Sequence, residues 1–137
     1  MTKFRALNGF EVRSLIKDGK VFIKRPVRKK SFDNIVLYDE ENWAYEMRPD
    51  GEVTRIKHSI GETGDVFYVK EEWADDGSYR ADFGEDKKWK KAMSMPNKMV
   101  RLKFEIVDVY PGEMGTIIAV IEKRPIECPS QVAGRMQ

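Results

Sequence analysis

With 137 residues, of which 41% are hydrophobic and 35% are charged, the chain can build one domain with its own core, which excludes the disordered class. One cysteine and one histidine exclude an internal disulfide and a zinc site with the usual ligands, so we expect no metal and no cofactor. The net charge is only +2, and no stretch approaches the ~20 apolar residues of a membrane helix or resembles a secretion signal. We therefore expect a cytoplasmic protein without a membrane partner.

The first part of the chain predicts a strand, a helix and a second strand. Residues 2–7 form the first strand, and Asn8 is a suitable N-cap for a helix that stops at residues 18–19. Residues 21–27 follow as a strand that places Arg25 on the same face as its apolar residues. The buried face of the helix is expected to contain four apolar residues, Phe10, Val12, Leu15 and Ile16.

The middle of the chain predicts a hairpin followed by the clearest strand. Residues 35–57 contain β-rich segments around a Pro-Asp-Gly turn, and we expect them to form a hairpin inserted into the domain. Val66–Trp73 alternates so that Glu71 shares a face with the largest apolar residues, while Lys70 lies on the opposite face. A further short strand is expected at Tyr79–Asp82.

The last third of the chain predicts two more strands. Residues 83–98 are irregular and basic, an alternating strand covers residues 102–106, and a strand buried on both faces covers residues 116–121. Residues 126–137 are expected to form a loose tail, which leaves a single domain over residues 1–125. Six or seven short strands with one or two short helices indicate a mainly β, α+β fold and a small barrel.

Two blocks of the sequence have a distinctive residue order. The first runs from Val12 to Lys20 and continues with Lys24-Arg25, and the second runs from Gly64 to Trp73 and on through Tyr79–Asp82 to Val109. They resemble the helix–glycine–lysine–strand opening and the long G-D-x-L-W-V-R-E-x-W string of the ASCH/PUA-like superfamily, especially the small members that phages and prophages encode. The resemblance implies a PUA-like β-barrel with a cleft beside the first helix, in a bacterial host cell.

The resemblance also implies binding to RNA, to single-stranded nucleic acid or to a modified nucleotide. Some small relatives resemble nucleoside amidohydrolases, which use a lysine, a threonine and a carboxylate. Lys20 matches the lysine, but Val21 and Ile23 stand where those relatives have threonines, and neither has a hydroxyl that acts as a nucleophile. An enzyme of this kind would have to use Lys20, Glu71 and a water molecule. The missing hydroxyls favour a binding module over an enzyme.

Two basic segments are the candidate nucleic-acid surface. Residues 17–30 carry seven basic residues and one acidic residue, and residues 87–103 carry seven basic residues and no acidic one. If the fold brings them together around a shared cavity, they form one positive surface. Lysines at sheet edges also prevent unwanted strand pairing, so a purely solvated role stays open. The candidate ligand-binding residues are Lys20, Lys24, Arg25, Arg28, Glu71, Tyr79, Trp89 and Lys90.

Arg25 and Glu71 form the central hypothesis, since both are expected on apolar strand faces, where a charge needs a partner. Either they form the floor of a binding pocket, or they are an ion pair that fixes the strand register. Tyr79 and Trp89 are candidates for stacking on bases, and lysines surround Trp89 in the sequence.

A third hypothesis is that the protein is a phage accessory protein that binds and inhibits a host protein complex. The hairpin at residues 35–57, where the resemblance is poorest, is the segment where such a partner would dock. His58 and Cys128 have no sequence neighbours that indicate a nucleophile with its base, and we assign them no role.

Overall fold

The computed structural model describes residues 2–83, 88–113 and 115–126. These residues form eight strands in two sheets together with two α-helices, which confirms the prediction of a mainly β, α+β fold. Two short 3-10 helices, Ala92–Ser94 and Asn97–Met99, precede the last two strands. None of the helices in these ranges has both the length and the apolar composition that crossing a membrane requires.

The larger sheet has five strands, which are β1 (Phe4–Ala6), β2 (Lys20–Pro26), β6 (Val66–Lys70), β7 (Lys103–Pro111) and β8 (Thr116–Arg124). Their order is β1-β6-β7-β8-β2, with β1 parallel to β6 and all other neighbours antiparallel. The strand pairing of the described residues therefore leaves β1 and β2 as two free edges. The expected small barrel is not closed by strand pairing in this part of the chain.

The smaller sheet covers the predicted hairpin and has three strands, whereas a hairpin has two. Its strands β3 (Ile35–Tyr38), β4 (Ala44–Met47) and β5 (Val53–Arg55) pair antiparallel in chain order. The Pro-Asp-Gly turn joins β4 to β5, and Gly51 has a φ of 91°, which glycine adopts without the steric cost of a side chain. The turn chemistry that the sequence predicts is thus present.

Helix α1 (Gly9–Asp18) begins and ends where the sequence predicts. The Asn8 side chain accepts a hydrogen bond from the Glu11 backbone, and the Glu11 carboxylate accepts one from the Asn8 backbone, which together make a capping box. Gly19 has a φ of 73° and donates its N–H to the carbonyl of Leu15, which closes the last turn.

The buried face of α1 is narrower than predicted. Val12 and Leu15 are fully buried together with the Glu11 side chain, whereas Phe10 and Ile16 are exposed. At about 100° per residue, Glu11, Val12 and Leu15 fall within one arc of roughly 100°, and the other two side chains fall outside it. The helix therefore contacts the sheet along one stripe only.

The main core lies between α1 and one face of the five-stranded sheet. Alternate residues are buried along β2, at Phe67 and Val69 of β6 and in the first half of β7, as the alternation predicts for these strands. The principal core residues are Leu7, Val12, Leu15, Val21, Ile23, Ile60, Phe67, Val69, Leu102, Phe104, Ile106, Ile117, Ala119 and Ile121. Val120 is also buried, in agreement with a strand covered on both faces.

Two predicted strands differ in the structure. Strand β6 ends at Lys70, and Trp73 takes part only in isolated bridges to Tyr79 and Lys90. The strand predicted at Tyr79–Asp82 is wrong, because Tyr79 makes its bridge alone and Arg80–Phe83 forms the short helix α2. The backbone N–H of Asp82 bonds to the carbonyl of Tyr79, so the turn satisfies the backbone locally and no sheet partner is needed.

The predicted loose tail, residues 126–137, lies outside the described residues except for Ile126. That residue packs against a second, smaller cluster around Met95 and Val100. The boundary between domain and tail therefore stays a prediction.

Candidate functional site

A cavity of about 640 Å³, which we call cavity A, lies in the gap between the edge strands β1 and β2. Its walls come from β1, from the end of β2 and the residues after it, from the segment that follows β5, and from the first 3-10 helix. The basic residues of the wall are Arg5, Arg25, Arg28, Lys57 and His58, and no Asp or Glu lines it.

Arg25 spans this gap and connects three elements. Its guanidinium donates hydrogen bonds of 2.7 and 2.9 Å to the two carboxylate oxygens of Glu11 on α1, and one of 3.4 Å to the carbonyl of Ala6 on β1. One side chain of an edge strand thus reaches the opposite edge, so the sheet is strongly curved here. The predicted pairing of Arg25 with Glu71 is wrong, since Glu11 takes that place.

Arg5 is a second arginine at the cavity, and no carboxylate of the described residues lies within 4.0 Å of its guanidinium. It donates one hydrogen bond of 3.0 Å to the carbonyl of Ile60, and its guanidinium lies 4.6 Å from the centre of the Phe67 ring. Its Nε is buried and has no hydrogen-bond partner. Burial and, to a smaller extent, the neighbouring positive charge of Arg25 lower the pKa of Arg5 below its ordinary value, and the negative charge of Asp65 offsets part of this effect.

His58 also lines cavity A, although the sequence indicated no role for it. Its side chain is nine-tenths buried, its Nε2 lies 3.8 Å from a Glu62 carboxylate oxygen, and its Nδ1 has no hydrogen-bond partner. In the part of the chain that the structure describes, this atom and the Nε of Arg5 are the only buried side-chain nitrogens or oxygens without a partner. The two residues that carry these atoms, Arg5 and His58, both line cavity A.

Three of the basic side chains of cavity A differ from Arg25, which pairs with Glu11, and from many arginines elsewhere in the molecule. Arg48, Arg80, Arg101 and Arg124 each form an ion pair with a carboxylate. Among the described residues, Arg5, Arg28 and Lys57 have no carboxylate within 4.0 Å. Positive charge is therefore left unneutralised at this cavity.

Two further cavities adjoin cavity A. Cavity B, of about 590 Å³, shares Lys57 and His58 with it, and cavity C, of about 320 Å³, shares Ala6 and Arg25 with it. Cavity C is also lined by Lys91. Among the described residues, the basic side chains of the two segments thus come close only through Arg25 and Lys91 in cavity C, which Glu11 and Glu72 also line, so a shared positive surface stays a prediction.

Lys20 and Lys24 lie away from cavity A. Lys20 stands at the other end of β2 and pairs with Glu122 of β8 at 3.6 Å. Lys24 is exposed on the outer face of β2, because the alternation that turns Arg25 inward turns its neighbour outward. Both were candidate ligand-binding residues, and neither lines cavities A–C.

Glu71 belongs to a separate charged cluster. Its carboxylate is 1% exposed and accepts hydrogen bonds of 2.9 and 3.0 Å from Arg101, which also donates to Asp82 and lies 3.9 Å over the ring of Tyr79. Burial raises the pKa of Glu71, and the hydrogen bonds from Arg101 offset only part of this effect. Glu71 is therefore in a structural ion pair, with Arg101 as its partner, and lies outside cavities A–C.

The candidates Tyr79, Trp89 and Lys90 lie in the same region as Glu71 and Arg101. The Tyr79 hydroxyl donates a hydrogen bond of 2.6 Å to the carbonyl of Met99, and Lys90 pairs with Asp75 at 2.6 Å. Trp89 is half-buried and makes contacts of its own. Tyr79, Trp89 and Lys90 do not line cavities A–C, and the stacking of the two aromatic rings on bases stays a prediction.

Lys70 is a buried charge that the alternation of β6 did not predict. It is 6% exposed, and its ammonium group donates hydrogen bonds of 2.6 Å to the carbonyl of Met95 and 2.8 Å to the side chain of Asn97. It also lies 4.6 Å from the centre of the Phe4 ring. Burial lowers the pKa of Lys70. The residue joins β6 to the loop before β7, and only this non-local contact explains its burial.

The smaller sheet presents apolar side chains to solvent. Ile35, Leu37 and Val53 are exposed, and the strand register places them on one face. The partner protein predicted to dock on this hairpin stays a prediction.

Within the described ranges, no group of three His, Cys, Asp or Glu residues is arranged to hold a metal ion. Comparison of the chain with protein-family models, with curated proteins and with solved structures gives no significant match.

Proposed function

We propose that the protein is a binding module for RNA, for single-stranded nucleic acid or for a modified nucleotide, and that cavity A receives phosphate of this ligand. The observation that supports the proposal most is the wall of cavity A, to which the described residues contribute four arginines or lysines and one histidine but no carboxylate. Such a wall is suited to an anion, because each cation that lacks an internal counterion offers its charge to a ligand.

A phosphate group would offset the mutual repulsion of these cations. Arg5 and Arg25 are close enough that the charge of one lowers the pKa of the other. Guanidinium groups bind phosphate through short, often bidentate, charge-assisted hydrogen bonds. Because the phosphates of a nucleic acid release counterions when such contacts form, the affinity should fall steeply as salt is added.

The proposal includes membership of the ASCH/PUA-like superfamily, with the phage or prophage origin and the bacterial cytoplasm that the sequence resemblance implies. The order strand, capped helix, Gly19, strand supports it, as does the gap between β1 and β2 beside α1, where that family's cleft is expected. In a PUA-like barrel β1 and β2 would approach each other. The contact of Arg25 with the carbonyl of Ala6 supports such an arrangement.

A nucleoside amidohydrolase is not favoured. Val21 and Ile23 lack hydroxyls, and the remaining candidates, Lys20 and Glu71, are far apart in the sheet. In the strand register, Lys20 pairs with Glu122, Glu122 with Glu105 of β7, and Glu105 with Val66, the first residue of β6. Glu71 lies beyond the other end of β6. The two side chains therefore lack the proximity that shared catalysis requires.

Binding of short single-stranded RNA and DNA oligonucleotides, measured at a series of salt concentrations, tests the proposal. We expect binding at low salt, with an affinity that falls by a slope of about 0.7 on a log–log plot for each phosphate contacted. The double variant Arg28→Ala, Lys57→Ala should bind more weakly and lower that slope by about 0.7 per lost contact. Both side chains are exposed, so the fold should be preserved.

The double variant Lys20→Ala, Lys24→Ala is the matched control. It removes the same charge from β2 outside cavity A and should change the affinity and the slope little. Equal losses in both double variants would mean that binding is spread over the surface and that cavity A is not the site. The absence of binding to every oligonucleotide at low salt would refute the proposed function.

A further inference from the structure

Cavity B has a different chemistry from cavity A. The residues of its wall include Trp43, Arg55, Val109 and Thr63. It also contains one carboxylate, Glu62, whereas cavity A has none. Cavity A therefore suits an anion, and cavity B suits a group with an aromatic face and hydrogen-bond donors.

The two cavities are joined by one segment of the chain. Arg55 and Ile56 line cavity B, Lys57 and His58 line both cavities, and Ser59 and Ile60 line cavity A. Five residue steps separate the first of these residues from the last, a distance of at most about 17 Å along an extended chain. A ligand with two chemically different parts can thus occupy both cavities at once.

Arg55 is placed to stack on a planar ligand. Its guanidinium carbon lies 3.7 Å from the centre of the Trp43 ring, and the described residues include no carboxylate within 4.0 Å of it. Trp43 in turn packs against the main core, which holds the pair in place. The side chain of Arg55 itself remains exposed. Guanidinium planes that are held in this way are surfaces on which unstacked bases pack.

The charges of the two cavities decide the orientation of such a ligand. Phosphate belongs in cavity A, where Arg5, Arg28 and Lys57 form no ion pair with any carboxylate of the described residues. A base belongs in cavity B, where Glu62 can accept a hydrogen bond from an exocyclic amino group. The reverse orientation would place the phosphate next to the Glu62 carboxylate.

We propose that cavities A and B together bind one nucleotide, with its phosphate at Arg5, Arg28 and Lys57 and its base against Arg55, which lies over Trp43. This inference rests on the proposed function, and it names the part of the ligand that each cavity holds. The nucleotide is either a free nucleoside 5′-monophosphate or one nucleotide of a single strand, since both have the same chemistry at this site.

Titration calorimetry with adenosine and cytidine 5′-monophosphates, and with ribose 5-phosphate as a probe without a base, tests the inference for the free nucleotide. We expect at least one nucleotide to bind about 5- to 160-fold more tightly than ribose 5-phosphate, which is the range for stacking one base. In Arg55→Lys this ratio should fall below about threefold, because lysine keeps the charge but has no planar group.

Arg48→Lys is the matched control, since Arg48 is an exposed arginine of the same small sheet that pairs with Asp50 and Glu52. This variant should keep the full ratio. The ratio of affinities for a short oligonucleotide and for its abasic counterpart, measured in the same variants, tests whether the bound nucleotide is part of a single strand. Thermal unfolding of both variants reports whether the fold is intact.

The outcomes separate the two proposals. If base-containing and base-free probes bind equally well, both free and in a strand, the inference is overturned while phosphate binding at cavity A stands. A base-dependent gain that Arg55→Lys leaves unchanged also overturns it, because the base would then bind elsewhere. If no phosphate-containing probe binds at low salt, the proposed function fails as well.

Discussion

At the residue level, the charged side chains that leave solvent differ in how well hydrogen bonds and ion pairs satisfy them. Glu71 and Lys70 are almost completely buried, and each finds partners, Arg101 for the carboxylate and the carbonyl of Met95 for the ammonium group. Arg5 at cavity A has a single hydrogen bond to a carbonyl. Buried polar groups are normally satisfied, so the first two are structural and the third indicates a site for a ligand.

Replacing Glu71 by Gln should lower the free energy of unfolding by about 3 kcal/mol, the lower end of the range for breaking a buried ion pair. The loss stays at that end because Arg101 keeps its hydrogen bonds to Asp82. Urea unfolding at neutral pH measures it, as a lower midpoint with an unchanged slope. Oligonucleotide affinity should not change, since Glu71 lies outside cavities A–C.

Glu72→Gln is the control for this substitution. Glu72 pairs with Arg80 at 2.7 Å, but both side chains are partly exposed, so the loss should stay below about 1 kcal/mol. If Glu71→Gln left stability unchanged and reduced ligand binding, Glu71 would be a pocket residue and the structural interpretation of its ion pair would be wrong.

At the level of elements, a single carboxylate attaches the segment after β2 to the smaller sheet. Glu46 of β4 is 3% exposed, and one of its oxygens accepts hydrogen bonds from the side chain of Asn34 at 2.8 Å and from the backbone of Lys30 at 3.0 Å. These two hydrogen bonds hold the pKa of Glu46 below its ordinary value. The segment that leads from cavity A to β3 is thus held by charge-assisted hydrogen bonds.

This attachment should depend on pH. A carboxyl group with a lowered pKa in the folded state stabilises that state above the ordinary glutamate pKa of ~4.3, and the contribution is lost as the pH falls through the lowered value. Glu46→Gln should therefore be less stable than the wild type at pH 7, and the difference should shrink towards pH 3. Urea unfolding at a series of pH values measures both chains.

Glu52→Gln, on the same small sheet, provides the comparison. Glu52 is an exposed partner of Arg48, and its replacement should have little effect at any pH. A difference between Glu46→Gln and the wild type that stays constant down to pH 3 would mean that the charge of Glu46 has no part in the attachment.

At the level of the whole molecule, the two sheets differ in how firmly they are held. Strands β7 and β8 each have nine residues and a hydrogen-bonded neighbour on both sides, and they contain the fully buried Phe104, Ile106, Ala119 and Ile121. The smaller sheet has strands of three or four residues with many exposed side chains. Local opening should therefore cost less free energy in the smaller sheet.

Native-state hydrogen exchange should reveal this difference directly. We expect the amides of β7 and β8 to exchange only through global unfolding, and those of β3–β5 to exchange through a smaller opening. Mass spectrometry of the exchanging protein at increasing denaturant distinguishes the two classes. Equal protection of both sheets would mean that the molecule opens as one cooperative unit.

Local elements were largely predictable, because their determinants lie within a few residues. Alternation predicted the buried faces of β2, β6 and β7, and Asn8 with Gly19 predicted both ends of α1. The same local rules were wrong for the strand at Tyr79–Asp82, where the turn back to Trp73 leads into a helix instead. They also missed the burial of Lys70, which depends on a loop 25 residues away.

The candidate site was predictable only in part. The sequence indicated Arg25 and Arg28, which line cavity A, and a second basic segment, of which Lys91 lines the adjoining cavity C. It did not indicate Arg5 and His58, since a single arginine in a short strand and an isolated histidine have no local signal. Their role follows from the cavity wall that they share.

By itself, the amino-acid sequence determined a mainly β domain, the start and end of its first helix and the inward direction of Arg25, because capping and alternation act over a few residues. Only the tertiary structure decided the partners of its charges. The hydrogen bonds of Arg25 with Glu11 and of Arg101 with Glu71 span 14 and 30 residues. These contacts depend on how the five-stranded sheet curves and which edges it brings together, and no local pattern of residues determines that curvature.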